Sequence, residues 1–219
     1  MKTTRTLRLL ALAGIGSLMF ASAHAQDGGY YYGGLSVGPS RANIDEQRIT
    51  ASLLGAGLAT TSMASDERDG AFKLFGGYQL NRNFGIEAGY FYLGRFGFTS
   101  TTVPAGTLQG RIRVQGLNLD LVGTLPLGEH WSAIGRAGVQ YASAHDSFRG
   151  TGAVAVLNPN PGRREANYKL GLGLQYEVNS SMLLRGEAER YRINDGVGNH
   201  GGINVLSIGL VFPFGRSPN

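Results

Sequence analysis

Apolar residues occupy every second position in many segments of this chain, which is the spacing of a β-strand. In residues 169–178, KLGLGLQYEV, one face holds Leu170, Leu172, Leu174, Tyr176 and Val178. The other face holds Lys, Gly, Gln and Glu. A strict period of two indicates that the two faces of a strand meet different surroundings. The apolar face could therefore pack on a protein core or face lipid.

Eight segments with this alternation predict an all-β fold. Their approximate bounds are 31–41, 71–80, 84–96, 111–125, 131–145, 166–178, 182–192 and 203–214. Short turns at 81–83, 126–130 and 179–181 alternate with long connections at 42–70, 97–110, 146–165 and 194–202. An even strand count with this asymmetry is typical of outer-membrane barrels. We therefore predict an eight-stranded antiparallel transmembrane barrel with an up-and-down order.

Aromatic residues on the apolar faces support the interpretation that these faces meet lipid. One group, next to the short turns or the chain end, contains Tyr78, Trp131, Tyr176, Phe212 and Phe214. A second group, nearer the long connections, contains Tyr90, Tyr92, Tyr141 and Tyr168. Two aromatic belts around an aliphatic band are typical of transmembrane barrels. A soluble lipocalin-like barrel would instead carry its apolar residues inside.

The opposite strand faces are polar and are predicted to line the barrel interior. Candidates for an interior polar network are Glu87, Asp120, Arg136, Arg185 and Glu187. Charges removed from water are costly unless they are paired, so opposite signs at the same depth are expected to join. Such a network could pack a plugged barrel or gate the passage of ions. Inward glycines, Gly171 and Gly173 among them, are expected to leave space for the long charged side chains.

The first 25 residues have the pattern of a secretory signal peptide. They begin with basic residues, continue with an apolar run at 9–20 and end in Ala-His-Ala at Ala25. We predict that cleavage leaves residues 26–219 as one barrel domain. The net charge then falls from +5 to +2, because three of the 20 basic residues lie in the signal, and the basic indication of a nucleic-acid partner disappears. The chain contains no Cys, which excludes a lipid-anchored lipoprotein and a disulfide scaffold.

Other chemistry has little support in the sequence. Residues 145–147, HDS, have the His-x-Ser spacing of lipid A deacylases, which are eight-stranded barrels that use Ser, His and a carboxylate. The alternative is that His145 is a solvated loop histidine. A catalytic set is recognised by its geometry, and a three-residue spacing alone does not show one. We predict no metal or cofactor, because the histidines are scattered, Cys is absent and no acidic loop has the spacing of a calcium site. We expect no enzymatic activity.

Two stretches resemble the membrane domain of outer-membrane protein A. They are residues 75–95, FGGYQLNRNFGIEAGYFYLGR, and residues 206–215, LSIGLVFPFG. The resemblance implies a barrel in the cell outer membrane, turns in the periplasm, long loops at the surface and a closing strand read by the barrel-assembly machinery. In that family an interior acid with basic partners closes or gates a narrow passage, and Glu87 and Arg185 match the acid and one base. Leu121 or Val122 stands at the second basic position, and Gln175 at the second acidic one.

The expected role is therefore structural or one of surface interaction in the bacterial cell envelope. The expected partners are outer-membrane lipids and lipopolysaccharide, with the barrel as a monomer. The chain ends five residues after Phe214, so we expect no peptidoglycan-binding domain. A small ion-conducting pore and a lipid A-modifying enzyme remain alternatives. Arg163, Arg164 and Glu165, placed in a predicted loop, could bind lipopolysaccharide phosphates or form a solvated charge run.

Overall fold

The computed structural model describes residues 29–194 and 200–215, and the predicted signal peptide lies outside these ranges. The described residues form nine β-strands and one α-helix. Their order is β1 (Tyr30–Ala42), α1 (Glu46–Gly55), β2 (Ala59–Asp66), β3 (Arg68–Gln79), β4 (Phe84–Val103), β5 (Gly106–Pro126), β6 (Trp131–Gly152), β7 (Gly162–Asn179), β8 (Met182–Asn194) and β9 (His200–Phe214).

The strands close into an antiparallel barrel of eight, which confirms the predicted fold class. The order around the barrel is β4-β3-β1-β9-β8-β7-β6-β5, and the pairing of β5 with β4 closes it. Strands β2 and β3 lie end to end along one side of β4, β2 beside residues 97–103 and β3 beside residues 85–92. We call the end with the turns at 80–83, 127–130 and 180–181 the turn end, and the opposite end the loop end.

Several strands continue further toward the loop end than predicted. Residues 97–110, expected to be a long connection, form the upper parts of β4 and β5, and only Pro104 and Ala105 make the turn between them. Strand β6 runs to Gly152 and β7 begins at Gly162, so much of the predicted connection 146–165 is also strand. Continued pairing satisfies the backbone N–H and C=O groups of these polar, Gly- and Thr-rich stretches.

The helix α1 and strand β2 lie within the first long connection. Asp45 caps the helix, because its side chain accepts a hydrogen bond of 3.0 Å from the backbone N–H of Arg48. Leu53 of α1 packs in a small buried cluster with Leu58 and Val154 at the loop end. No helix among the described residues has the length and apolar character needed to cross a membrane.

The barrel carries apolar side chains on its outer face. Leu172 is 73% exposed and Leu117 is 60% exposed, although both lie in the middle of regular strands. Inside, an apolar cluster that includes Phe91, Leu93 and Ile203 lies toward the loop end. A second cluster of Tyr32, Phe75, Leu183 and Val211 lies toward the turn end. Polar and charged side chains fill the level between these two clusters.

Candidate functional site

Eight buried charged side chains meet inside the barrel, and we call them the interior charge network. They come from six strands, because each strand directs alternate side chains inward. Every member is at most 5% exposed. The members are Lys73 of β3, Glu87 of β4, Asp120 of β5, Arg136 of β6, Lys169 of β7, and Arg185, Glu187 and Glu189 of β8. With four acids and four bases, the network has a formal charge of zero.

Arg136 lies at the centre of the network. Its Nη1 is 2.6 Å from Oε1 of Glu87 and 3.2 Å from Oδ2 of Asp120. Its Nη2 is 2.5 Å from Oε1 of Glu187, and Glu189 lies 3.6 Å from Nη1. A guanidinium presents five N–H donors in a fixed plane, so one arginine can hold carboxylates from three different strands together.

Two lysines complete the pairing on the loop side of the network. Nζ of Lys73 lies 3.2 Å from Glu187 and 3.2 Å from Glu189. Nζ of Lys169 lies 2.8 Å from Asp120 and 2.7 Å from Glu189. Each of these ammonium groups therefore bridges two carboxylates. The carboxylates that are close in space are separated by cations, which makes their common burial tolerable.

Glu87 and Arg185, the pair that the family resemblance implied, are in direct contact. Nη1 of Arg185 lies 2.8 Å from Oε2 of Glu87, and Nε donates to Oε1 of Gln175 at 3.0 Å. The guanidinium also lies over the rings of Phe75 and Tyr32, at 5.2 and 5.7 Å from their centroids. Leu121 and Val122 cannot supply the second basic partner of Glu87. Arg136 and Lys73 lie beside Glu87 and take that place.

All five residues selected from the sequence for the network are among its eight members. Lys73, Lys169 and Glu189 also lie on inward strand faces, but the predicted network did not include them. Strand alternation states the side of a residue but not its depth. The register of neighbouring strands identifies two of them: Asp120 and Lys169 lie in one row with Gly138 between them, and Arg136 and Glu189 in another with Gly171 between them.

Gly171 leaves room for the central arginine. A Cβ atom at this position would lie 2.8 Å from Cγ of Arg136 and 3.0 Å from Cγ of Glu189. Contacts this short force a neighbour to move, and both neighbours are held by ion pairs. Gly138 has the same relation to Asp120, whose Oδ1 would touch an added Cβ. Small residues thus alternate with long ones in the filled interior of a narrow barrel.

The nine aromatic residues selected from the sequence lie on the outer face of the barrel. Near the turn end, Trp131 packs on Tyr176 with ring centroids 4.9 Å apart, and Phe214 is exposed like Phe212. Tyr78 packs on Tyr31 at 4.7 Å, a partner that the sequence reasoning left out. Nearer the loop end, Phe72 packs on Tyr90 and Tyr92 at 5.9 and 5.6 Å, and Tyr141 and Tyr168 are exposed.

The HDS residues are in a strand, contrary to the predicted loop start. His145 and Ser147 both point outward from the upper part of β6 and are exposed. The imidazole lies beside Ser143, with 3.4 Å between Nδ1 and the hydroxyl oxygen. Arg163, Arg164 and Glu165 are likewise in β7 and not in a loop, and Arg163 forms an ion pair of 2.9 Å with Glu165. The first correction follows from the continued pairing of β6 with β5, and the second from the pairing of β7 with β6.

No group of three or more His, Asp or Glu side chains among the described residues has the arrangement of a metal site. Each interior carboxylate is instead paired with arginine or lysine, and Oδ1 of Asp120 has no hydrogen-bond partner among the described residues. A polar cavity of about 500 Å³ opens at the turn end and reaches Arg185. The charge network thus lies between this cavity and the apolar cluster on its loop side. Chemically, the arrangement holds six strands together through ion pairs at one level.

Comparisons with known proteins agree with this architecture. The profile of the OmpA-like transmembrane domain matches residues 25–218. Neisserial surface protein A is similar in structure at 10% identity, with a TM-score of 0.55 over 85% of this chain and 99% of that one. The outer membrane protein OprG of Pseudomonas aeruginosa is similar at 15% identity, with a TM-score of 0.50 over 85% and 96%.

A third similar structure is Ail, the attachment invasion locus protein of Yersinia pestis, solved in complex with the heparin analogue sucrose octasulfate. It has 15% identity, 84% and 99% coverage and a TM-score of 0.48. These identities are low, so the likenesses to Neisserial surface protein A and OprG speak for the fold alone. A search of curated protein sequences found no match. The family profile covers nearly the whole barrel, and the chain therefore belongs to the OmpA-like transmembrane domain family of outer-membrane β-barrels.

Proposed function

We propose that this protein is a closed outer-membrane barrel that anchors an interaction surface outside the cell. The turn end faces the periplasm in this proposal and the loop end faces the medium. The observation that carries it is the interior charge network, in which four acids and four bases are buried and paired between two apolar clusters. The protein acts as a scaffold and not as an enzyme.

The pairing in the network favours a permanently closed interior. Removing one partner from a buried ion pair leaves an uncompensated charge, which typically costs about 3–5 kcal/mol. An ion that crossed the barrel would have to separate several such pairs and also pass the apolar cluster around Phe91 and Leu93. An eight-stranded barrel has an interior just wide enough to be filled by side chains. Closure therefore agrees with both the strand number and the chemistry.

The length of three strands supports a role at the surface. A transmembrane β-strand needs about 9–11 residues. Strands β4, β5 and β6 contain 20, 21 and 22 residues. About half of each strand therefore rises beyond the lipid-facing band at the loop end, where α1 and β2 join it. This wall of paired strands is a rigid surface suited to contact a partner.

A belt of arginines on the outer face supports the proposed orientation and a lipopolysaccharide partner. All of its members are exposed and lie at the loop end beyond the outward aromatic residues. They are Arg41, Arg68, Arg95, Arg111, Arg113, Arg149, Arg164 and Arg192. Guanidinium groups bind phosphate through paired hydrogen bonds, and lipopolysaccharide phosphates lie in the outer leaflet. Arg111→Gln and Arg113→Gln each remove one positive charge. Combined in one variant, they should lower the amount of lipopolysaccharide that copurifies with the barrel.

Conductance in planar bilayers tests whether the barrel is closed. We expect the purified protein to give no unitary conductance, and Arg113→Gln, on the outer face, to behave in the same way. Channels whose conductance changes in Glu87→Gln or Arg185→Gln would instead establish the small gated pore and overturn the closed barrel. Glu87 has three cationic neighbours, so an exchange of partners is the specific route by which such a pore would open.

Cysteine labelling tests the orientation, because the native chain has no Cys. Ala155 lies at the loop end and Glu129 at the turn end, and both are exposed. A membrane-impermeant maleimide added to intact cells should label Ala155→Cys and not Glu129→Cys. The opposite pattern would reverse the proposed orientation. Disruption of the cells should make both positions reactive, which controls for local accessibility.

His145 and Ser147 are exposed on one outer strand face, and we expect lipid A of unchanged mass when the protein is overexpressed. A change in mass that His145→Ala abolishes would contradict this expectation.

Strand β9, with Phe212 and Phe214 outward, is the proposed signal for the barrel-assembly machinery. The barrel is proposed to be monomeric.

A further inference from the structure

A second cavity lies at the loop end, and its lining is largely apolar. It has a volume of about 360 Å³ and lies between the end of the barrel interior and the loops that cover it. Phe96, Val114 and Ile203 of the interior apolar cluster form its floor. Leu53, Leu58 and Val154 of the cluster under α1 lie on its other side. We call this space the loop-end cavity.

The size of the loop-end cavity is unusual for a space between two apolar clusters. Protein interiors are packed as densely as organic crystals, and few voids exceed one water molecule. A dry apolar cavity of about 150 Å³ is enough to bind benzene. By that measure the 360 Å³ here offer room for about two rings. Small-molecule sites generally have volumes of about 300–1,000 Å³ and apolar linings with a few polar groups.

The paired strands keep the cavity from collapsing. Its wall contains Phe98 of β4, Leu108 of β5 and Phe148 of β6. These strands are held at a fixed spacing by a continuous hydrogen-bonded ladder up to the ends of their hairpins. The helix α1, capped by Asp45, covers another side. The surroundings therefore have a built shape that a ligand can enter without large rearrangement.

The lining selects the chemistry of a ligand. Phe96, Phe98 and Phe148 present aromatic rings, and aromatic pairs gain from stacked or edge-to-face contact. Three polar lining residues, Asn43, Asp45 and Ser52, are exposed at the rim on the α1 side, and the half-buried Arg48 lines the cavity beside them. A ligand could place one hydroxyl or similar group there, but a charge at the floor would lose its hydration without a partner.

We propose that the loop-end cavity binds a small uncharged aromatic molecule of one or two rings. The floor of the cavity continues into the apolar cluster and then into the interior charge network. The ligand therefore enters and leaves on the loop side and is retained, not conducted. Binding requires only the cavity and goes beyond the scaffold role, so it can fail while the closed barrel stands.

Methyl NMR of the full barrel in lipid nanodiscs tests this proposal, with naphthalene as the probe. Naphthalene also dissolves in the lipid, so the test is the shape of the titration and not the presence of a shift. Methyl signals of Ile112 and Ile203, which line the cavity, should shift and saturate. Signals of Leu172 and Leu206, on the outer face, should shift in proportion to the naphthalene added. Cavity signals that stay unchanged, or that follow the lipid-facing ones without saturation, would refute the site.

A filled cavity provides the matched variant. Leu108→Trp adds a large ring on the inward face of β5, and the apparent Kd should rise at least about tenfold. Leu117→Trp makes the same change on the outward face of the same strand and should leave the titration unaltered. Should L108W fail to form a barrel by its mobility on an unheated gel, Ala155→Phe at the rim replaces it. Unchanged saturation in the filled variant would place the ligand elsewhere and overturn the proposal.

Discussion

The lower and upper halves of strands β4, β5 and β6 have opposite sidedness. In the lower half, residues 84–92, 115–126 and 131–141, apolar side chains such as Leu117 and Leu121 point outward and charges such as Asp120 point inward. In the upper half, residues 94–103, 106–114 and 142–152, Phe96 and Val114 point inward and arginines point outward. The backbone ladder continues through both halves.

The surroundings of a strand, and not its backbone, set the pattern of its apolar and polar side chains. The lower half meets lipid, so its outer face is apolar and its polar groups gather inside. The upper half meets water, so it is built as a soluble sheet with a buried apolar face. The change of side occurs near Gln115 and near Tyr92, which is itself one of the outward aromatic residues. There the β4–β5 register is also interrupted, between Tyr92 and Gly94.

The largest effect is expected inside the lower half. Arg136→Ala removes the cation that lies beside four buried carboxylates, and the free energy of unfolding should fall by about 3–5 kcal/mol. Urea unfolding followed by the fluorescence of Trp131, the one tryptophan of the chain, measures this change. Arg113→Ala, an exposed arginine of the upper half, is the control and should cause little change. Equal losses in both variants would contradict the difference between the halves.

The outer face in the lipid-facing band and the outer face of the upper half should respond differently to the same new charge. Leu172→Arg places a cation in the lipid-facing band and should cost about 2–4 kcal/mol of unfolding free energy. Thr99→Arg makes the matching change on the exposed outer face of the upper half, among native arginines, and should cause little change. Urea unfolding in lipid vesicles gives both values. A costly T99R would place the upper half in lipid as well.

The space around the central arginine should be sensitive to a single methyl group. Gly171→Ala brings a Cβ atom to 2.8 Å from Cγ of Arg136, and overpacking of this kind typically costs about 1–3 kcal/mol. Gly70→Ala, near the loop end, has no heavy atom within 4 Å of the added carbon and is the control. Thermal unfolding on an unheated-versus-heated gel series ranks the two. If both variants melt together, Gly171 is not present for space.

The smallest effect is expected in the loop-end cover. Asp45→Ala removes the cap of α1, for which the typical loss is about 1 kcal/mol. Because α1 lies outside the barrel wall, faster hydrogen exchange should be confined to the helix amides, such as that of Ile49. The amides of β6 around Arg136 serve as the internal control and should keep their protection. A loss of protection in both regions would show that the cover and the lower half unfold together.

Strand positions were largely predictable from the sequence, but strand lengths were not. The eight alternating segments lie within the observed strands apart from single residues at their ends. Residues 97–110 were not predicted as strand because Thr, Ser, Gly and Pro dominate them and suggest a loop. Their inward residues, Phe98 and Leu108, alternate with polar outward ones, in the opposite sense to the lower half. A pattern with apolar residues on the outer face does not identify strand segments that lie beyond the lipid.

The sequence predicted which face of its strand a network residue occupies, but not which other residues it contacts. Glu87, Asp120, Arg136, Arg185 and Glu187 could be selected because charged residues alternate with lipid-facing ones. Lys169 and Glu189 escaped because their 2.7 Å contact joins residues on different strands whose relative depth depends on register. In a barrel that register is set by strand tilt and stagger, which are properties of the closed sheet.

The sequence by itself determined that the chain is a lipid-facing barrel and which side each strand residue takes. That information is local, because alternation with a period of two can be recognised within one strand. Only the tertiary structure decided which charges lie at one depth, that eight of them form a neutral set, and that α1 lines the loop-end cavity together with β4, β5, β6, β8 and β9. The physical reason is that depth and enclosure depend on how strands distant in the chain are paired around a closed sheet.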